Sequence, residues 1–232
     1  MTELKFQRRT TYYPVTTYEF NLPAGWSCPG AAGCMTKADR DTGKRVQRGE
    51  DYICYASSAE RFPGVRDSRW DNYQAVRAWL RSTDDPFPLP ARATHIRIHG
   101  SGDFFNAAYF RRWCLTAEAN PAVTFWAFTK SIPYWLRWRE LVPSNLELNA
   151  SLGSKHDDAI VEHGLKTARV FRSLEDVPAS MPVDFDDTWA MLPGGPSFAL
   201  LDNTFNRGPG NDERIAEHNA RLGDWRRASS PS

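Results

Sequence analysis

From residue 94 onward, the spacing of apolar residues predicts regularly alternating strands and helices. Strands are predicted at 94–99, 123–131, 146–152, 167–174 and 197–203. Helices are predicted at 104–118, 134–141, 157–164 and 211–222. This alternation is typical of parallel βα units. We therefore expect an α/β fold, an incomplete (βα) barrel of parallel strands rather than a flat doubly wound sheet.

The N-terminal part of the chain is less regular. Residues 1–22 alternate loosely and predict one or two strands. Residues 28–34 are too rich in glycine and proline for regular structure, which predicts an N-terminal cysteine loop. The polar, basic stretch 35–51 predicts a surface hairpin. A helix is predicted over 68–80 from four apolar positions at helical spacing: Trp70, Tyr73, Val76 and Leu80.

Several predicted strands carry polar residues on one face only. His95, Arg97 and His99 alternate with isoleucines, and Glu147, Asn149 and Ser151 alternate with apolar residues. Buried parallel strands are usually apolar throughout, so polar positions suggest a cavity. In barrels the site lies at the carboxyl ends of the strands. One rim is therefore predicted to carry His99, Lys130, Asn149, Ser151 and Arg172. The alternative is edge strands with one solvated face.

Composition narrows the class of protein. The chain has 232 residues, of which 41% are hydrophobic and 13% aromatic, enough for one core, so whole-chain disorder is excluded. We expect one domain over residues 1–227 and a disordered tail at 228–232. No apolar run approaches the ~20 residues of a membrane span, so we expect a cytosolic protein. The net charge of +1 does not indicate a nucleic-acid partner, although a neutral total leaves room for a local basic patch.

Four cysteines raise the question of metal binding. Five residues separate Cys28 from Cys34, and nineteen separate Cys34 from Cys54. Disulfides are uncommon in the cytosol, whereas thiolates are soft anionic ligands for zinc or iron–sulfur clusters. The alternatives are three unrelated thiols, or a structural zinc site, although no histidine lies nearby in sequence to complete one. Cys114, beside Trp113 in a predicted helix, is expected to be a buried apolar residue.

The turn at residues 100–103 is a second candidate feature. It joins a predicted strand to a predicted helix, and its glycines allow a ligand to approach the backbone. A helix N-terminus also offers N–H groups to an anion. The alternative for Asp103 is that it caps the following helix.

Motifs over residues 20–175 resemble, in order, the phage gene product eighty-eight family. They are Leu-Pro-Ala-Gly at 22–25, Cys-Pro-Gly-Ala at 28–31, Cys-Tyr-Ala at 54–56, Arg-Trp-Asp-Asn at 69–72, Ile-Arg-Ile-His-Gly-Ser-Gly-Asp-Phe at 96–104 and Phe-Thr-Lys-Ser at 128–131. More distantly, the chain resembles radical S-adenosylmethionine enzymes. Those enzymes are partial barrels with three cysteines after the first strand and a Gly-rich turn after the second.

This resemblance implies a phage iron–sulfur protein in the host cytoplasm. It implies a [4Fe–4S] cluster bound by Cys28, Cys34 and Cys54, and S-adenosylmethionine as a further cofactor whose amino group the turn at 100–103 would hold. The implied cofactor pocket consists of His99, Gly100, Ser101, Gly102, Asp103, Lys130, Asn149 and Ser151. Radical enzymes mostly space their cysteines more tightly, so residues 35–53 would be an inserted excursion. The resemblance assigns no catalytic residue and leaves open whether the chain is an enzyme.

Two other functions stay open at this point. A non-enzymatic, metal-stabilised protein could bind a host protein through an aromatic and basic helix containing Trp135, Arg137, Trp138 and Arg139. A nucleic-acid-modifying protein could clamp a phosphate backbone with the basic residues of the predicted hairpin, which are Lys37, Arg40, Lys44, Arg45 and Arg48.

Overall fold

A computed structural model describes residues 3–48, 54–202 and 211–222. The strands are β1 (Phe6–Arg9), β2 (Thr17–Phe20), β3 (Lys37–Ala38), β4 (Arg45–Gln47), β5 (His95–Ile98), β6 (Thr124–Thr129), β7 (Leu146–Ser151), β8 (Thr167–Phe171) and β9 (Phe198–Leu201). The α-helices are α1 (Tyr55–Ser58), α2 (Pro63–Ser82), α3 (Ala107–Glu118), α4 (Ile132–Arg137), α5 (Asp157–Glu162), α6 (Thr188–Met191) and α7 (Asn211–Ala220).

The main sheet has seven strands in the order β1-β2-β5-β6-β7-β8-β9. All neighbouring strands are parallel except β1, which pairs antiparallel with β2. The predicted α/β class and the five predicted strands after residue 94 are therefore confirmed, and β2 is a sixth parallel strand. The sheet is not closed, since β1 and β9 are its edges in the described residues, and the barrel-like form stays a prediction.

One face of the sheet packs against helices α2, α3 and α4. Its strand residues include Ile96, Ile98, Phe125 and Leu148, all buried. Helix α3 begins at an asparagine cap, because the Asn106 side chain accepts a hydrogen bond from the Tyr109 N–H at 2.8 Å. The hydrophobic core therefore lies between this face and the helices, and Cys114 is buried in it as expected.

The predicted hairpin at 35–51 is confirmed over its described part. Strands β3 and β4 form a two-stranded antiparallel sheet, while residues 49–51 lie outside the described ranges. The hairpin is attached to the start of α2 by Arg66, whose guanidinium donates to the carbonyl oxygens of Arg40 (2.6 Å), Asp41 (2.9 Å) and Glu60 (2.8 Å). The disordered tail predicted at 228–232 and residue 203, the last of the strand predicted at 197–203, also fall outside these ranges.

The helix considered as a possible interface exposes its basic side chains but not its tryptophans. The Trp135 side chain is buried and Trp138 packs against the core, leaving Arg137 and Arg139 as the exposed members of that set. The tryptophans at this position therefore stabilise the fold. None of the helices in the described ranges combines the length and hydropathy needed to cross a membrane.

Candidate functional site

The segment that carries Cys28 and Cys34 follows β2 and lies across the carboxyl ends of neighbouring strands. The Gly30 carbonyl oxygen accepts a hydrogen bond from the Lys155 N–H at 2.9 Å. A Cβ atom on Gly30 would lie 1.9 Å from the carbonyl oxygen of Lys130, which directly follows β6. Only glycine allows this approach, so the contact places the cysteine segment at the carboxyl edge of the sheet.

Cys54 joins this segment from a separate part of the chain. Its backbone N–H donates to Thr36 Oγ1 at 3.1 Å, two residues beyond Cys34. Burial raises the pKa of the Cys28 thiol well above its usual value, and the charges of Asp103, Cys54 and Cys34 raise it further. Burial and the charge of Cys34 also raise the pKa of Cys54. The contact with Thr36 therefore brings the segments of Cys34 and Cys54 together, and all three thiols are half-buried.

The donor set of this region is three thiolates, soft anionic ligands that suit zinc as well as iron–sulfur clusters. Among the described residues, no group of three or more His, Cys, Asp or Glu side chains is placed to hold a metal ion. One zinc would draw each thiolate to about 2.3 Å from the metal. A cubane cluster binds each cysteine at a different iron and so tolerates a wider spread. Three thiolates therefore match the ligand type of an iron–sulfur cluster, and the same donors also match zinc.

The turn at 100–103 packs directly on the cysteine segment. The Leu22 N–H donates to the Ser101 carbonyl oxygen at 2.9 Å, and Ser101 Oγ donates to the Leu22 carbonyl oxygen at 2.9 Å. Gly102 adopts a left-handed φ of 87°, and a Cβ there would lie 2.5 Å from Ser27 Oγ. The sequence analysis expected the glycines of this turn to let a ligand approach the backbone. In the structure the group closest to Gly102 is Ser27, which belongs to the cysteine segment.

Asp103 connects this turn to the end of β6. Its carboxylate accepts hydrogen bonds from Thr129 Oγ1 at 2.7 Å, the Lys130 N–H at 2.8 Å and the Phe104 N–H at 2.7 Å. Burial raises the pKa of Asp103 to about 6, and these hydrogen bonds oppose the rise. Since Asn106 caps α3, the alternative that Asp103 caps this helix is wrong.

Lys130 supplies a buried cation beside the thiols. Its Nζ donates to the Ser151 carbonyl oxygen at 3.0 Å, to Ser151 Oγ at 2.8 Å and to the Leu152 carbonyl oxygen. Burial lowers the pKa of Lys130, while the nearby charges of Cys34 and Asp103 raise it. Lys130 thus joins Asp103 to Ser151, and its carbonyl oxygen lies against Gly30 of the cysteine segment.

Other predicted pocket residues lie elsewhere. His99 has a left-handed φ of 70°, which breaks the strand alternation. Its ring packs 4.7 Å from the ring of Phe104, and Nε2 lies 2.9 Å from Tyr109 OH, in the helix-facing core. Asn149 is fully buried and donates to the Ala190 carbonyl oxygen at 3.0 Å, beneath α6. Arg172 is exposed.

Three buried charged residues that support the cysteine region were missed by the sequence reasoning. Glu60 Oε1 accepts from the Ala24 N–H at 2.7 Å and from Arg69 Nη1 at 3.1 Å. Arg69 also donates to the Ala56 carbonyl oxygen at 2.7 Å, and Arg66 attaches the hairpin. Arg66 and Arg69 lie three residues apart on the buried face of α2, a helical spacing that could have identified them as buried.

The polar face of the sheet forms a charge network where a cavity was predicted. Glu19, Arg97, Trp126 and Glu147 lie side by side in the strand register. Arg97 Nη1 is 2.9 Å from Asp187 Oδ2, which also accepts from Trp126 Nε1 at 2.8 Å. Tyr13 covers this row and packs against Trp126 at 5.8 Å between ring centroids. These polar residues are therefore tolerated through mutual pairing.

We expect Asp184, a neighbour of this network, to make stability fall as pH rises. Burial and the charge of Asp187 raise its pKa to about 7. In the unfolded chain the pKa of an Asp side chain is about 3.9. The folded state therefore binds the Asp184 proton more tightly than the unfolded state does. The stabilisation that protonated Asp184 gives to the folded state is complete below about pH 4, and it is lost as the pH rises from about 4 to about 7.

The Asp184→Asn variant should be more stable than the wild type by about 2 kcal/mol at pH 8. The difference should shrink toward pH 4, since Asn keeps an acceptor for the Ala190 N–H, which donates to Asp184 Oδ2 at 2.8 Å. Urea unfolding of both proteins from pH 4 to pH 8 measures the difference. A pH-independent difference would contradict this assignment.

Comparison with known proteins identifies the family of the chain. The model of the family described as Gene product 88 matches residues 2–209. No curated protein and no solved structure matches the chain. The family resemblance read from the sequence motifs is therefore confirmed, while the more distant likeness to radical S-adenosylmethionine enzymes stays a prediction.

Proposed function

Since the chain belongs to the Gene product 88 family, we propose that it is an iron–sulfur protein. Cys28, Cys34 and Cys54 would bind a [4Fe–4S] cluster. The main support is that the Cys54 N–H donates to Thr36, two residues beyond Cys34, so that thiols from two separate segments meet near the carboxyl edge of the sheet. When bound, the cluster would supply electron transfer at the carboxyl edge, where parallel α/β sheets place their ligands.

The chain's own residues support a bound anionic cluster. The Gly25 N–H donates to Cys28 Sγ at 3.3 Å, and such hydrogen bonds help to set the potential of a cluster. The Lys130 ammonium is near Cys34 and Cys54 and would offset the negative charge of their thiolates. Deprotonating buried thiols costs free energy, and the bonds between the metal and the thiolates would offset it.

We extend the proposal to a ligand at the turn 100–103, with S-adenosylmethionine as the candidate. This turn packs on the cysteine segment, and Asp103 is near Cys28. The Asp103 carboxylate already accepts three hydrogen bonds. We therefore do not assign the recognition of the amino group to the Asp103 carboxylate, and we leave His99 and Asn149 out of the pocket.

Iron and acid-labile sulfide counts after anaerobic purification test the cluster. Wild type and Cys114→Ser, the matched control in the core, should each bind about four iron and four sulfide per chain. Cys28→Ser, Cys34→Ser and Cys54→Ser should each lose most of both, because each removes one thiolate ligand. A wild type without iron and sulfide, or one whose content survives all three changes, contradicts the proposal.

The same preparations separate two functions for the cluster. Release of 5′-deoxyadenosine from S-adenosylmethionine by the reduced wild type, but not by the three cysteine variants, supports the enzymatic function. A full cluster without this product overturns the ligand assignment. It would support the alternative, a non-enzymatic protein in which the cluster holds the cysteine loop to α1 and the fold binds a host protein.

A further inference from the structure

A basic and aromatic surface surrounds the hairpin β3–β4. We call it the hairpin face, and its members are Trp26, Lys37, Arg40, Lys44, Arg45, Val46, Arg48, Arg61 and Phe62. Large apolar residues are exposed here: the exposed fraction is 59% for Val46, 52% for Phe62 and 43% for Trp26. The face is continuous, because a Cβ on Gly43 at the hairpin tip would lie 3.2 Å from the Arg61 Cα.

Cations lie over the aromatic rings of this face. Lys37 Nζ is 4.8 Å from the ring centroid of Trp26, and the Arg61 guanidinium carbon is 4.7 Å from that of Phe62. The Trp26 indole is fixed against the hairpin by its N–H, which donates to the Ala38 carbonyl oxygen at 2.8 Å. Exposed rings held beside cations are the components that stack bases and contact phosphates in single-strand-binding proteins.

The charge of the face is one-sided, although the whole chain is nearly neutral. Residues 37–48 contain five basic and two acidic side chains. Of the acidic pair, the Asp39 carboxylate is occupied by its own turn, where it accepts from the Thr42 N–H and Thr42 Oγ1, each at 2.7 Å. Lys44, Arg45 and Arg48 are exposed, so positive charge dominates the hairpin.

We propose that the hairpin face binds single-stranded nucleic acid. Lys44, Arg45 and Arg48 contact phosphates, and the rings of Phe62 and Trp26 stack on bases. The charge complementarity favours a polyanion, and the exposed rings favour one with unpaired bases over a duplex. This inference is independent of the cluster, because none of its contacts involves a cysteine.

Fluorescence anisotropy with a labelled 20-nucleotide strand tests the proposal, with single-stranded DNA, single-stranded RNA and the matching DNA duplex as separate arms. The triple variant Lys44→Glu, Arg45→Glu, Arg48→Glu should bind either single strand at least tenfold more weakly. Its affinity should also depend less on salt, with a log–log slope smaller by about 2 for three lost phosphate contacts. The matched control Arg92→Glu, Arg139→Glu, Arg172→Glu changes the net charge equally at other exposed positions and should bind like wild type.

The Phe62→Ala variant separates stacking from charge. It should bind a single strand about tenfold more weakly, with an unchanged salt slope, because stacking is independent of counterion release. Equal losses in the two triple variants, or duplex binding as tight as single-strand binding, overturn the proposal. Displacement of the strand by polyglutamate as effectively as by unlabelled strand also overturns it and assigns the face to an acidic protein.

Discussion

Replacing Asp187 by asparagine is expected to lower the free energy of unfolding by about 3 kcal/mol. The Asp187 carboxylate pairs with Arg97 and accepts a hydrogen bond from the Trp126 indole, and all three side chains are largely buried. Asparagine has nearly the same size and tolerates the left-handed φ of 63° at this position. The substitution therefore removes mainly the charge and leaves the Arg97 guanidinium without its closest counter-ion. Urea unfolding at pH 7 measures the loss.

Two further variants test whether the loss comes from the pairing. The control Asp67→Asn lies on the exposed side of α2 and should change the free energy of unfolding by less than about 0.5 kcal/mol. Adding Arg97→Met to Asp187→Asn removes the unpaired cation, so the double variant should recover at least about 1 kcal/mol. A double variant that loses the sum of the two single effects would show that the side chains act independently.

The Gly30→Ala variant is expected to displace the cysteine segment from the edge of the sheet. The added Cβ would lie 1.9 Å from the Lys130 carbonyl oxygen and 2.5 Å from its carbonyl carbon. Both are backbone atoms, so no change of side-chain rotamer can relieve the overlap. Either the segment of Gly30 or that of Lys130 must therefore move. We expect a loss of about 3 kcal/mol in the free energy of unfolding. If the proposed cluster is present, the iron content should also fall, since Cys28 and Cys34 would move with the segment.

Gly64→Ala is the matched control for this substitution. Gly64 lies in the first turn of α2, where an added Cβ meets nothing within 4 Å. Alanine there should leave the iron content unchanged and stabilise the protein by up to about 1 kcal/mol, because it favours the helix and restricts the unfolded chain. If Gly30→Ala were as stable as Gly64→Ala, the close approach of Gly30 to Lys130 would be refuted, whatever the metal content.

The two faces of the sheet show where the local pattern of apolar and polar residues is sufficient to predict side-chain direction. The alternation around Arg97 correctly separates the isoleucines from the polar row, since side-chain direction in a strand follows from the backbone alone. The same pattern fails at His99, where a left-handed φ turns the ring toward Tyr109. The backbone conformation of a single residue depends on the groups that pack around it, which at His99 are the core residues of α3. The alternation of apolar and polar residues therefore cannot predict it.

Periodicity and short motifs along the chain were sufficient to predict the α/β class, the strands after residue 94, the hairpin after Cys34 and the family. The grouping of residues into a site depended on the tertiary structure. It placed Gly30 against Lys130, bonded Asp103 to the end of β6 and paired Arg97 with Asp187. These contacts join residues distant in sequence, and they form only when the strands pair and the loops pack across their ends.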